Sequence, residues 1–185
     1  MKTPLVGPVV LAPTDLSQAS VGAARFAADL ARRLGGTLVL LRVLLPREVE
    51  EGLAQGKFID QQMDEGRVYL RWWFTTFVPA EARRTVRLEE LIAVGHPEDE
   101  IPAVAESLQA TMVIMATHAR TGFRRAVLGS VAEAVLRRAP CPVVMLRGGA
   151  QAWTGAHPGA APADQRPATM SSKPTREPLG AANAS

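Results

Sequence analysis

The sequence predicts an α/β protein with a doubly wound, five-stranded parallel sheet and helices on both faces. One observation and one rule of chain topology support this prediction. Short, almost continuously apolar runs alternate along the chain with longer segments in which apolar residues recur at helical spacing. Because crossovers between parallel strands are right-handed, the same alternation places helices on both faces and creates a topological switch point.

The first half of the chain contains two strands and two helices in this interpretation. The first strand is the apolar run 9–12, and the second covers 37–43. A helix over 18–34 lies between them, with Ser17 as its expected N-cap and Gly35 and Gly36 as its stop. Residues 46–56 are predicted to form a loop, and a long helix over 57–77 follows, ended by Pro79.

The second half repeats the pattern. The third strand lies within 85–94, and Pro97 suits the first position of a helix that runs to about residue 108. Pro102 falls inside that helix and predicts an irregular first turn. The fourth strand covers 111–116, a helix covers 130–138, and the fifth strand covers 142–146.

The long helix over 57–77 is rich in aromatic side chains. Leu70, Trp73 and Phe77 recur at i, i+3 and i+7 and are expected to pack on the sheet. Tyr69, Trp72 and Phe74 belong either to the same core or to a surface that contacts a partner.

Composition divides the chain into a domain over 1–147 and a tail over 148–185. The tail holds five Pro and five Gly, and Leu179 is its one residue among Ile, Val, Leu and Phe. Such a segment cannot bury enough apolar surface to offset the entropy lost on ordering. We therefore predict that the tail is disordered.

Charge and cysteine content exclude several classes of protein. The net charge of +3 is too small to indicate binding to nucleic acid or to an anionic membrane. One cysteine excludes a disulfide framework, and Cys141 is expected to be a small buried hydrophobe. The sequence shows neither a signal peptide nor an apolar run long enough to span a bilayer, so a cytoplasmic protein without a membrane partner is expected.

Polar residues gather where strands end. Asp15 follows the first strand, where it could bind a ribose or a base or could cap the first helix with Ser17. Ser130 and Glu133 are expected to form a capping box at a helix whose N-terminus suits an anion, and Gly129 allows close backbone approach. An ordinary capped helix with solvated arginines explains the same pattern.

Three segments together resemble the universal stress protein family. Residues 10–17, Val-Leu-Ala-Pro-Thr-Asp-Leu-Ser, resemble its first strand and loop, and Gly-His-Pro at 95–97 resembles its third crossover. The most specific match runs from Met115 through Gly129-Ser130-Val131 to Arg-Ala-Pro-Cys-Pro-Val at 138–143. The resemblance spans about residues 6–147.

The resemblance implies a fold, a ligand and a partner. It implies a parallel sheet in the order 3-2-1-4-5, a homodimer formed through the last strand (Pro142–Leu146), and, in some members, bound ATP. The implied nucleotide site contains residues from both ends of the domain: Pro13, Thr14, Asp15, Val43, Met115, Ala116, His118, Ala119, Arg120, Gly129, Ser130 and Val131.

The family's nucleotide motif is altered in this chain. Ala116 and Ala119 replace its two leading glycines, although the nine-residue spacing to Gly129 and Ser130 is kept. Alanine retains its backbone N–H, but it disfavours positive φ at a cost on the order of 1 kcal/mol for each site that needs it. The motif is weakened by this change but is not lost.

Three other functions remain open at this level. A module of the same fold that binds proteins and no nucleotide is favoured by the two alanines. An enzyme is less favoured, because the chain lacks a nucleophile elbow, a Walker loop and histidines at metal-ligand spacing. His118 in the phosphate loop would permit at most a slow nucleotide hydrolase, and a flavodoxin-like electron carrier lacks its phosphate loop after the first strand.

Overall fold

The computed structural model describes residues 5–117 and 129–147. The predicted tail over 148–185 lies outside these residues. The described elements are β1 (Val9–Pro13), α1 (Gln18–Arg33), β2 (Thr37–Leu44), α2 (Pro46–Ala54), α3 (Ile59–Phe77), α4 (Ala80–Arg83), β3 (Arg87–Val94), α5 (Pro97–Ser107), β4 (Met112–Thr117), α6 (Ser130–Arg138) and β5 (Val143–Arg147).

The five strands form one parallel sheet in the order β3-β2-β1-β4-β5, as predicted. β1 lies in the centre, where Val9 pairs with Thr37 of β2 and Val10 pairs with Met112 of β4. Every residue of β1 is buried. Its alternating side chains serve two cores, because Val10 packs on one face of the sheet and Leu11 on the other.

The helices divide between these faces according to the direction of their crossovers. One core contains the alanine face of α1 together with Leu70, Trp73 and Phe74 of α3. The other contains apolar residues of α5 and α6, such as Ala105 and Val135. Crossovers toward β3 therefore lie on one face and crossovers toward β5 on the other, as right-handed connections require.

The loop predicted over 46–56 is wrong, because this segment forms the helix α2. Pro46 occupies its first turn, where a missing N–H costs nothing. The Glu48 carboxylate accepts a hydrogen bond of 2.8 Å from the backbone N–H of Leu45, and Val49 is buried against the core. The short helix α4 was also absent from the sequence prediction.

The capping interactions at the N-termini of α1 and α6 differ from those predicted. Ser17 occupies the N-cap position of α1, but its side chain caps no backbone group. The capping box predicted at α6 is wrong, because Gly129 is the N-cap and Ser130 is the first helical residue. Glu133 instead pairs with Arg137, one turn along the same helix.

Pro102 does not interrupt α5, which is helical from Pro97 to Ser107. A proline at this position cannot donate to the carbonyl of Glu98 four residues earlier. The Arg138 guanidinium donates to that carbonyl at 3.2 Å and also contacts the Asp99 carboxylate at 2.5 Å. The partner of the orphaned carbonyl thus comes from α6, so the predicted irregularity is not seen.

The aromatic residues of α3 are mostly core. Leu70 and Trp73 are buried as predicted, whereas Phe77 is only partly buried and Phe74 takes the fully buried position beside Trp73. Trp72 is half-buried and stacks on Tyr69 with ring centroids 5.2 Å apart.

Cys141 is half-buried against the second core, and burial raises the pKa of its thiol above the ordinary value.

None of the helices within 5–117 and 129–147 combines the length and apolar character that crossing a membrane requires.

Candidate functional site

A cleft of about 260 Å³ opens at the carboxyl ends of β1 and β4. The chain leaves β1 toward β2 and leaves β4 toward β5, so the two crossovers diverge here and leave a gap between their loops. The cleft is lined by Pro13, Thr14, Asp15, Ser20, Leu41, Val43, Pro97, Ile101, Met115, Ala116, Thr117, Gly129, Ser130, Val131 and Ala132.

Most residues predicted from the sequence meet at this cleft. Nine of the twelve line it: Pro13, Thr14, Asp15, Val43, Met115, Ala116, Gly129, Ser130 and Val131. The other three, His118, Ala119 and Arg120, lie outside the described residues. Sequence reasoning missed six lining residues, namely Ser20, Leu41, Pro97, Ile101, Thr117 and Ala132.

The loop between β1 and α1 is held by its own side chains. The Thr14 N–H extends the pairing of β1 with β2 by donating to the Leu41 carbonyl at 2.9 Å. The Thr14 hydroxyl accepts a 3.0 Å hydrogen bond from the Leu16 N–H, and Leu16 adopts a left-handed φ of 63°. This local hydrogen bond helps to stabilise a backbone conformation that leucine rarely adopts.

Asp15 lies on the exposed side of this loop, and both the loop and α1 supply a donor to it. Its Oδ1 accepts from the backbone N–H of Ser17 at 3.0 Å and from the hydroxyl of Ser20 at 2.5 Å. The sequence left open whether Asp15 faces a ligand or supports the first helix. The structure shows that Asp15 contacts the first turn of α1 and also lines the cleft.

The opposite wall is formed by the end of β4 and the start of α6. Ala116 lies inside β4. It is not among the described non-glycine residues that adopt a positive φ, so alanine is not strained at this position. The first N–H groups of α6 have no intrahelical acceptor, and within the described ranges no side chain caps this helix. These free N–H groups give this wall a partial positive charge.

Among the described residues, Gly129 leaves this helix N-terminus open. A Cβ placed at Gly129 would meet no heavy atom within 4 Å in the described part of the chain. A ligand can therefore approach the N–H groups of Ser130 and Val131 closely.

Apolar side chains form much of the remaining lining of the cleft. Leu41, Ile101 and Met115 are buried, and Pro13 and Val43 contribute from β1 and β2. An apolar wall, a carboxylate and a helix N-terminus in one cleft suit a ligand that has a flat apolar ring, hydroxyl groups and a negative charge. Within 5–117 and 129–147, no cluster of His, Cys, Asp and Glu residues could hold a metal ion.

The fold and the cleft together define a doubly wound α/β protein with a ligand site at its topological switch point. The model of the universal stress protein family matches residues 8–147, and the chain belongs to that family. Universal stress protein MJ0531 of Methanocaldococcus jannaschii is 29% identical over 155 residues, which cover 75% of this chain and 81% of the relative.

Solved structures show the same fold. The hypothetical protein MJ0577 of Methanocaldococcus jannaschii superposes with a TM-score of 0.61 at 23% identity, covering 77% of this chain and 96% of that protein. A universal stress protein solved in complex with cAMP superposes with a TM-score of 0.54 at 20% identity, covering 77% of this chain and 98% of that one. At these identities the likeness establishes the fold.

Proposed function

We propose that this protein is a cytoplasmic regulatory protein that binds an adenine nucleotide, ATP in the first instance, as a signal rather than as a substrate. The observation that carries the proposal is the cleft at the switch point. It brings the Asp15 carboxylate, an apolar wall and the N-terminus of α6, which no described side chain caps, to one place. A structural relative bound to cAMP supports an adenine nucleotide as the ligand class.

Each part of a nucleotide has a counterpart in the cleft. Pro13 and Val43 offer apolar contact to the adenine, and the acceptor oxygens of Asp15 suit donor groups of the adenosine. Met115 lies on the ribose side. The N–H groups of Ser130 and Val131 would donate to phosphate oxygens, and the helix dipole favours their negative charge.

Ala116, the first of the two alanines in the nucleotide motif, is less unfavourable for binding than the sequence suggests. Ala116 lies within a strand, where its backbone needs no positive φ, so the change from glycine adds one methyl group without strain. Ala119 lies outside the described residues. The loss of the first motif glycine is therefore compatible with nucleotide binding.

Calorimetric titration of ATP tests this proposal directly. We expect saturable binding to the purified protein, and we expect Asp15→Ala to weaken it about tenfold by removing an acceptor from the cleft. Gly129→Trp should abolish measurable binding, because an indole at this position would occupy the approach to α6.

Matched variants separate these effects from general damage. Gly129→Ala keeps every backbone N–H and meets no described atom, so its affinity should stay within about twofold of wild type. Asp64→Ala removes an exposed carboxylate that does not line the cleft and should leave the affinity unchanged. An absence of heat with wild type, and of co-purified nucleotide, would favour the alternative function, a protein-interaction module.

We also propose that β5 pairs with β5 of a second copy to form a homodimer. β5 is an edge strand that pairs with β4, and its apolar residues Val143, Val144, Met145 and Leu146 are all only half-buried. An apolar edge strand presents unpaired backbone groups and side chains that a second copy would cover.

Light scattering should therefore give a mass of about twice 19.8 kDa at micromolar concentration. Met145→Lys retains a long aliphatic stem but places a charge at the proposed interface, so we expect it to give monomer. Glu89→Lys, on the opposite edge strand β3, serves as the control and should remain dimeric. A monomeric wild-type mass would rule out this interface.

A further inference from the structure

Ser20 is a buried polar residue whose position the sequence did not single out. It lies in the first turn of α1, is 5% exposed, and lines the cleft. A buried hydroxyl is stable only when it is hydrogen-bonded. Its partner here is the Asp15 carboxylate, five residues earlier, at 2.5 Å.

The proton arrangement follows from the number of protons available. Ser20 carries one hydroxyl proton, and the Asp15 carboxylate can only accept, so Ser20 donates to Asp15. The oxygens of Ser17 and Ser20 are 3.3 Å apart. Because the Ser20 proton is already used, Ser17 is the donor in this second contact, and a chain of hydroxyls runs from Ser17 through Ser20 to Asp15.

The Ser20 contact has a consequence for the exposed carboxylate. An exposed aspartate side chain samples several rotamers, and fixing it when a ligand binds costs conformational entropy. Ser20 belongs to a helix packed on the core and donates from below, while the Ser17 N–H donates from the loop. These donors, which share one oxygen, favour a single orientation of Asp15 before any ligand arrives.

We propose that Ser20 is a positioning residue for the nucleotide site, because its hydroxyl holds the Asp15 carboxylate in the orientation that lines the cleft. This inference rests on the proposed nucleotide-binding function. Ser20 acts through Asp15 and needs no contact with the ligand.

A double-mutant cycle measured by calorimetry with ATP tests the coupling. We expect Ser20→Ala to weaken ATP binding about threefold to tenfold, the effect of one side chain that must be ordered on binding. In an Asp15→Ala background the same change should alter the affinity less than about twofold, because the group that Ser20 positions is gone. Equal losses in both backgrounds, or no loss in either, would overturn the proposal.

Ser17→Ala is the matched control. It removes a hydroxyl from the same loop but leaves the Ser17 N–H and the Ser20 hydroxyl in place as donors to Asp15, so the affinity should change less than about twofold. A loss as large as that of Ser20→Ala would show that general loosening of the loop, and not the contact with Asp15, sets the affinity.

A measurement without nucleotide separates this inference from the proposed function. Three-bond NMR couplings of Asp15 should report a single χ1 rotamer in wild type and averaging in Ser20→Ala. Failure of wild type to bind ATP would refute the proposed function, and the couplings would then decide on Ser20 alone. Averaged couplings in wild type would overturn the positioning role.

Discussion

Replacing Gly36 with alanine is expected to lower the free energy of unfolding by about 3 kcal/mol. A Cβ at Gly36 would lie 2.0 Å from the carbonyl oxygen of Pro8 and 3.0 Å from its carbon. These are backbone atoms just before the central strand, and the Pro8 carbonyl accepts the N–H of Thr37 at 2.9 Å. Neither strand can move aside without losing the pairing of Val9 with Thr37.

Urea denaturation measures this effect, and another glycine supplies the control. Gly22 lies within α1, where a Cβ would meet no described atom within 4 Å. Gly22→Ala should therefore stabilise the protein by about 0.5–1 kcal/mol through helix propensity. A Gly36→Ala variant that unfolds at the same urea concentration as wild type would refute the predicted clash.

Phe74→Ala is expected to destabilise the protein by about 3–5 kcal/mol. Phe74 is 1% exposed and packs with Leu70 and Trp73 between α3 and the sheet, so truncation leaves a cavity in the core. Since Phe74 does not line the cleft, the loss should appear in stability and not in the affinity of the folded protein for nucleotide.

Phe58→Ala makes the same chemical change at a site with the opposite burial. Phe58 is 78% exposed at the start of α3, so its truncation should change the free energy of unfolding by less than about 0.5 kcal/mol. Thermal or urea unfolding of the two variants side by side provides the measurement. Similar losses for both would show that the assigned burial of α3 is wrong.

The Gly36 effect also bears on the candidate site, because the site depends on the sheet beneath it. The Thr14 N–H continues the pairing of β1 with β2 by donating to the Leu41 carbonyl, and Asp15 follows directly. A shift of β1 against β2 at Gly36 would therefore be transmitted along the strand to the loop that carries the carboxylate. A loss of stability caused by truncating Phe74 is not transmitted to this loop through the pairing of β1 with β2.

Much of the fold was predictable because its signals are local. The apolar run of β1 and the alanine spacing of α1 identify their elements within a few residues of the observed bounds. Prediction failed where a local signal was ambiguous. The acidic segment after Pro46 resembles a loop. It forms the helix α2 because the Glu48 carboxylate accepts a hydrogen bond from the Leu45 N–H and Val49 packs against the core.

The sequence by itself determined the order of the five strands and of the helices α1, α3, α5 and α6 between them, and its motifs determined the family to which the chain belongs. The tertiary structure decided which residues share the cleft. Leu41 and Ile101 carry no motif, and they reach Asp15 and Gly129 only because parallel strands bring the carboxyl ends of distant segments to one edge. Local periodicity encodes elements, whereas a binding cleft forms between segments that only packing brings together.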